Sequence, residues 1–123
     1  MKVLGIRYCT VSKEAEAIAA FLGSDGLGLP ERDMGTSETF QGAVFPAADS
    51  SWVEIWPEMD GFLAMTMLQV VVDDADAFAE RARSNGLTPK GPMDAHGERI
   101  YMLEGPGGLQ MSFQSKHDAD TDA

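Results

Sequence analysis

The chain has 123 residues, enough for one domain whose core buries roughly two thirds of the surface that the unfolded chain exposes. Its composition, 44% hydrophobic and 24% charged, is that of a globular protein and excludes wholesale disorder. The formal net charge of −11 opposes binding to phosphate backbones and anionic lipid, so we expect neither nucleic acid nor membrane as a partner.

A single cysteine, Cys9, excludes an intramolecular disulfide and a cysteine-rich zinc site. Residues 1–8 show no signal-peptide pattern, and no segment reaches the ~18 consecutive apolar residues of a membrane span. These features favour a cytoplasmic setting.

The first half of the chain begins with an apolar, β-branched segment, residues 3–11, that predicts a strand. A short helix is predicted over residues 13–22, with Gly26 providing a left-handed exit. Three further extended segments are predicted at residues 29–33, where the signal is weak, 39–45 and 51–56.

The second half follows the same order. Residues 65–72 predict a strand, and Asp73 is the predicted N-cap of a helix with an apolar stripe. Gly86 is its predicted left-handed exit. Extended segments are predicted at residues 88–93, 99–104 and 109–114, with a Gly-Pro-Gly-Gly hairpin turn at 105–108.

The two halves also resemble each other in sequence. Residues 14–19 resemble 74–79, and residues 24–27 resemble 84–87, both at a spacing of 60 residues. Because alanine and acidic residues are common in this chain, chance is a competing explanation. We interpret the pattern as a duplication, with modules at about 1–60 and 61–115 forming one domain of residues 1–115. Residues 116–123 are expected to be a disordered acidic tail.

The strand-into-helix junction at residues 70–77, the helix exit at 84–86 and the closing hairpin at 99–112 resemble the vicinal oxygen chelate superfamily. This superfamily includes glyoxalase, bleomycin-resistance proteins and extradiol dioxygenases. The resemblance covers nearly all of residues 1–115 and implies an α+β fold. The implied fold consists of two βαβββ modules around an open barrel-like cavity, with the helices outside. The turn at 105–108 departs from the usual Asp-Pro-Asp-Gly because both acidic positions are lost.

The resemblance also implies a divalent metal held by the first and last strands of each module. The corresponding positions in this chain are Arg7, Glu54, Met67 and Ser112. Of these, only Glu54 is a competent ligand for such a metal. We therefore expect no metal and no cofactor. We hypothesise instead that Arg7 lies opposite Glu54 and supplies the missing positive charge; the alternative is that both side chains face solvent.

Strand alternation predicts that Trp52, Glu54 and Trp56 share one face of their strand, with Val53 and Ile55 facing the helices. Two indoles around a carboxylate suit a planar or cationic organic ligand. Alternatively, the indoles fill the cavity or a dimer interface.

Further candidate ligand-binding residues lie on the strands of the second module. These candidates, each of which also has an ordinary core or surface interpretation, are Met65, Met67, Gln69, Arg99, Tyr101 and Ser112. His96 and Cys9 show no catalytic or metal-binding pattern, because neither has a suitable partner nearby in the sequence.

The sequence and the resemblance together favour metal-independent binding of a small organic molecule in the cavity. One alternative is a metal-dependent lyase, isomerase or dioxygenase whose ligands include other residues, such as His96, or residues of a partner chain. Another is an accessory or oligomerisation domain whose cavity is filled by its own side chains. The resemblance also implies a homodimer.

Overall fold

A computed structural model describes residues 2–33, 35, 39–61 and 63–116. Within these ranges the chain forms seven strands and two α-helices. Their bounds are β1 Val3–Ser12, α1 Ala15–Leu22, β2 Ala43–Pro46, β3 Trp52–Pro57, β4 Met65–Val72, α2 Ala75–Ser84, β5 Lys90–Ala95, β6 Glu98–Glu104 and β7 Gln110–Lys116. One compact unit comprises residues 7–66; the described part of the other comprises residues 2–6 and 67–116.

In the unit of residues 7–66, β3 is the middle strand. It pairs in parallel with β1 and antiparallel with β2. Helix α1 packs on one face of this sheet, where Ile55 and Val53 join its alanines in the hydrophobic cluster. The prediction that Val53 and Ile55 face the helix is therefore confirmed. Since neighbouring side chains on a strand alternate, Trp52, Glu54 and Trp56 lie on the opposite face.

In the other unit, β7 pairs in parallel with β4 and antiparallel with β6, and β5 pairs with the outer side of β6. Helix α2 packs on this sheet through a cluster that contains Ala75, Ala79, Val72, Tyr101 and Phe113. The 3-10 turn at Pro106–Gly108 joins β6 to β7, which confirms the predicted hairpin connection.

The helix ends differ in part from the prediction. Helix α2 is capped by Asp74, whose carboxylate accepts a 3.1 Å bond from the backbone N–H of Ala77; the prediction of Asp73 as the cap is wrong. Gly86 has the predicted left-handed backbone, with φ of 87°. Gly26 does not, because α1 already ends at Leu22 with Gly23 as its C-cap. A Cβ at Gly26 would lie 2.0 Å from the carbonyl oxygen of Phe21.

Three predicted segments also need correction. Residues 29–33 are irregular: the backbone N–H of Leu29 donates to Leu22 and that of Arg32 to Val44, and Pro30 has no N–H to donate. Strand β2 begins at Ala43 and not at residue 39. Lys116 belongs to β7 and not to the predicted tail, and residues 117–123 lie outside the described residues. No helix in the described part of the chain is long and apolar enough to cross a membrane.

Candidate ligand site

The centre of the candidate site is a group of three side chains on β3, which we call the indole–carboxylate clamp: Trp52, Glu54 and Trp56. The indole N–H of Trp52 donates to Oε2 of Glu54 at 2.5 Å, and that of Trp56 donates to Oε1 at 3.0 Å. All three side chains are half-buried. Each carboxylate oxygen therefore has its own N–H donor, and the donors hold the charge of Glu54 in place of a cation.

The position of Trp56 depends on a glycine that precedes β2. Gly42 has φ of 124°, and a Cβ built on it would lie 2.2 Å from Cε3 of the Trp56 ring. Only glycine allows the ring to lie this close to the backbone. The clamp is thus fixed from the neighbouring strand as well as from β3 itself.

Arg7 lies against Trp52. The two residues are directly opposite in the β1–β3 ladder, and the guanidinium carbon of Arg7 is 3.4 Å from the centroid of the Trp52 ring. The side chain is 5% exposed, and its Nε donates to the carbonyl oxygen of Ser50 at 2.8 Å. The ladder places Cys9, not Arg7, opposite Glu54. Arg7 therefore contacts the clamp through an indole, and a direct ion pair with Glu54 stays a prediction.

Cys9 occupies an environment that disfavours its thiolate. Burial first, and then the negative charge of Glu54, raise the pKa of the Cys9 thiol to about 11. At neutral pH the group is a neutral thiol, which agrees with the expectation that Cys9 is not a nucleophile.

A cavity of about 410 Å³ lies in the same unit as the clamp. It is lined by segments 31–33 and 39–42 and by Gly35. Arg32 on its wall also contacts the clamp, with its guanidinium carbon 5.1 Å from the Trp52 ring centroid. Gly42, on the same wall, lies against Trp56. Arg32 and Gly42 thus connect the wall of the cavity to the two indoles, which are not themselves among its lining residues. Sequence reasoning missed Arg32, because its position in a loop with polar neighbours gave no specific signal.

The second module carries hydrogen-bonded polar side chains where the first carries the clamp. In the ladders Cys9 lies opposite Glu54, and Gln69 lies opposite Ser112. The Ser112 hydroxyl donates to Oε1 of Gln114 at 2.7 Å, and Nε2 of Gln114 donates to Glu98 at 3.3 Å. Ser112 and Gln114 are 1% and 3% exposed. Sequence reasoning missed Gln114, although strand alternation from Ser112 would have found it.

The two methionines predicted to contact a ligand, Met65 and Met67, differ in burial. Met67 is buried, and its sulfur lies 3.9 Å from the side-chain amide nitrogen of Gln69. Met65 is half-buried, and its carbonyl oxygen accepts a 3.2 Å bond from the Thr10 hydroxyl. These contacts are compatible with the plain core interpretation, and ligand contact stays a prediction.

Arg99 and Tyr101 lie on the face of β6 that packs against α2. The Tyr101 hydroxyl and Nε of Arg99 donate to the same oxygen of Asp76 in α2, at 2.5 and 2.8 Å. Tyr101 is 3% exposed and stacks on Phe113 in the core. These hydrogen bonds, from Tyr101 and then Arg99, lower the pKa of the Asp76 carboxyl; burial and then the Asp76 bond raise the pKa of Tyr101. The geometry thus assigns both residues to helix packing and gives the predicted ligand contact no support.

The positions at which the superfamily would hold a metal carry Arg7, Glu54, Met67 and Ser112. One carboxylate among a guanidinium, a thioether and a hydroxyl does not fit a divalent metal. Over the described ranges, no three His, Cys, Asp or Glu side chains are grouped so that they could hold an ion. We therefore derive no chemistry through a metal at these positions.

No protein-family model matches the sequence, and no curated protein matches it significantly. Solved structures do match. Methylmalonyl-CoA epimerase from Mycobacterium tuberculosis is 15% identical, with a TM-score of 0.64 over 98% of this chain and 91% of that one. A glyoxalase/bleomycin resistance protein/dioxygenase superfamily member from Vibrio splendidus 12B01 is 12% identical, with a TM-score of 0.63 over 94% and 100%. This chain has the vicinal oxygen chelate fold.

A catechol 2,3-dioxygenase structure is also similar, at 14% identity and a TM-score of 0.62. The match covers all of this chain but 45% of that enzyme. At identities this low, the similarity concerns the fold. The predicted α+β class is thus confirmed, and the resemblance to the vicinal oxygen chelate superfamily is confirmed for the fold.

Proposed function

We propose that this chain binds a small organic molecule, without a metal, against the indole–carboxylate clamp. The observation that carries the proposal is the pairing of both indole N–H groups with one carboxylate, at 2.5 and 3.0 Å, beside a cavity of about 410 Å³. That volume lies within the range of roughly 300–1,000 Å³ that is typical of small-molecule sites.

The clamp is suited to binding because its parts are already ordered. The hydrogen bonds to Glu54 and the backbone of Gly42 fix the indole planes, so little side-chain entropy remains to be lost when a ligand stacks on them. Trp52 and Trp56 provide large apolar surfaces with defined orientation. Phe40 and the polar side chains of Thr39 and Gln41 line the adjoining cavity.

The alternatives receive less support. A metal-dependent lyase, isomerase or dioxygenase would need ligands from residues other than those at the superfamily positions. His96, the candidate considered from sequence, lies in the turn between β5 and β6 with φ of 53°. An accessory or oligomerisation domain, the third alternative, would not need the open cavity of about 410 Å³ whose wall carries Arg32.

Our proposal for the assembly is a homodimer in the cytoplasm. The superfamily resemblance supports the dimer, as do the apolar side chains at the start of β1, since Val3, Leu4 and Ile6 are 38–52% exposed. Sedimentation equilibrium tests this: a concentration-independent monomer would contradict it.

The proposed function is tested by titrating small aromatic compounds into the purified protein, with and without a chelator. The only two tryptophans of the chain are in the clamp, so tryptophan fluorescence and the two indole N–H signals in a ¹H–¹⁵N spectrum report on it directly. We expect a ligand to shift both signals and to raise the melting temperature equally in both conditions. Stabilisation that needs zinc, nickel, manganese or iron would instead support the enzyme alternative.

A further inference from the structure

Two guanidinium groups converge on one indole of the clamp. The guanidinium carbons of Arg7 and Arg32 lie 3.4 and 5.1 Å from the ring centroid of Trp52. Both distances are within the ~6 Å range of a cation–π contact. The chain has only nine lysines and arginines against twenty acidic residues, so this cluster opposes the charge of the chain as a whole.

This arrangement disfavours a cationic ligand, which two indoles and a carboxylate would otherwise suit. The π-system of Trp52 already contacts two guanidinium groups, and an organic cation would have to displace one of them. Both oxygens of Glu54 already accept indole N–H groups. A ligand cation would therefore gain little from either group while being repelled by the arginines.

The two arginines differ in burial, and this difference assigns their roles. Arg7 is 5% exposed and is tied by its Nε to Ser50. The positive charge of Arg7 is therefore held in one position within the unit of residues 7–66. Arg32 is exposed and lines the cavity. Of the two, Arg32 is therefore the one whose planar guanidinium can meet a ligand carboxylate in a bidentate fashion.

Two acidic side chains, Glu31 and Asp33, flank Arg32 on the cavity wall. Asp33 accepts the backbone N–H of Gly35 at 2.9 Å. Oε1 of Glu31 lies near Gly23 at the end of α1, 3.5 Å from where a Cβ of residue 23 would stand. Neither carboxylate has a described contact with the guanidinium that approaches Trp52.

We propose that the ligand is a small organic acid, whose flat apolar body packs against Trp56 of the clamp and whose carboxylate is bound by Arg32. This inference rests on the proposed function and narrows it to one chemical class. Arg7 adds a second positive charge beside the indole, which makes the surroundings of Trp52 more favourable to an anion.

The test compares three probes that have the same ring but different charges: benzoate, benzamide and benzylammonium. Their affinities are measured from the indole N–H signals at low salt, because salt screens an exposed arginine. We expect benzoate to bind about tenfold more tightly than benzamide, a difference of ~1.4 kcal/mol, and benzylammonium to bind most weakly.

Variants then locate the preference. Arg32→Gln is expected to reduce the ratio of benzoate to benzamide affinity to about one, and Arg32→Lys to give an intermediate ratio, because lysine keeps the charge without the planar fork. Arg81→Gln is the matched control, since Arg81 is an exposed residue of α2 and its loss changes the net charge equally. The control should retain the wild-type ratio.

The possible failures are distinguishable. If benzamide or benzylammonium shifts the indole signals at lower concentration than benzoate, the acid class is wrong while the proposed function stands. If the preference for benzoate survives Arg32→Gln, the assignment to Arg32 is wrong. If none of the probes shifts either indole signal at millimolar concentration, both the inference and the proposed binding of flat organic molecules are contradicted.

Discussion

Glu54→Gln tests whether the carboxylate organises the clamp. An amide has one oxygen to accept an N–H and one NH₂ group, so it can satisfy only one indole. The other indole N–H then faces a donor. Both bonds also lose the charge of their acceptor, although the shape of the side chain is nearly unchanged. The substitution therefore isolates the hydrogen-bonding role of Glu54 from its packing.

The magnitude follows from the number of bonds and their burial. A hydrogen bond to a charged group contributes about 1.5–3 kcal/mol when buried. The clamp side chains are half-buried, so water can replace part of what is lost. We therefore expect the free energy of unfolding to fall by about 1–2 kcal/mol, which lowers the melting temperature by about 4–8 °C for a chain of this size.

Urea denaturation measured by tryptophan fluorescence gives the stability, and the ¹H–¹⁵N indole signals give the bonds. We expect one of the two indole protons to shift strongly upfield as it loses its acceptor. Glu104→Gln is the control, because this exposed residue at the end of β6 carries the same charge without an indole partner. Adding Trp56→Phe should remove part of the penalty, since the unpaired donor is then absent. Equal stabilities of the two glutamine variants, with unchanged indole signals, would refute the clamp.

Three further outcomes are expected. Gly42→Ala should lower stability by at least ~2 kcal/mol and shift the Trp56 indole signal, because strain at positive φ and a clash with the ring combine. Gly28→Ala is its control, since Gly28 has φ of 79° with open space around it; equal losses would argue against the ring contact. Cys9, with a pKa of about 11, is expected to react with iodoacetamide at pH 8 at least ~100-fold more slowly than a free thiol. The rate should rise with pH toward 11, and a rate that levels off near pH 8.5 would contradict the assigned environment. The lowered pKa of Asp76 stabilises the folded state above the ordinary carboxyl pKa, and this contribution is lost as pH falls through the folded value. The raised pKa of Tyr101 acts in the opposite range, so its contribution is lost as pH rises above about 10. Asp76→Asn and Tyr101→Phe should flatten the acid limb of the stability profile, whereas Asp25→Asn, in an exposed turn, should leave it unchanged.

The predictable part of the fold was the part governed by periodicity and local chemistry. The alternation of Trp52 to Trp56 predicted which face meets α1, and the apolar stripe of α2 predicted its buried side. The strand predicted at residues 29–33 does not form, because Pro30 has no N–H and the described bonds of Leu29 and Arg32 go to different elements rather than to one ladder. Likewise, the choice between Asp73 and Asp74 as the helix cap depends on the path of the chain, which places Asp73 within reach of the backbone N–H of Lys2.

The shared strand face of Trp52, Glu54 and Trp56 was predictable, but the bonding among them was not. The sequence places Glu54 between two tryptophans, but it does not say whether the indoles present their faces or their N–H groups to the carboxylate. For Trp56 that choice depends on Gly42, 14 residues before it, which allows the ring to lie close to the backbone. Similarly, Arg7 was expected opposite Glu54, but the ladder register of β1 and β3 places it opposite Trp52. A register is set by the whole sheet and cannot be read from either strand alone.

These two details change the chemistry expected of the site. A bare carboxylate between two indole faces would attract cations, whereas a carboxylate that already accepts two N–H bonds offers little to a ligand. The guanidinium of Arg32, which contacts Trp52 and lies on the wall of the cavity, is then the charged group that we expect a ligand to bind. The same residue types, Trp, Glu and Arg, thus give opposite ligand preferences depending on which of them bond to each other. If a purified ligand of this protein proved to be an organic cation, the internal bonds of the clamp would have to break on binding, and both indole signals would report it.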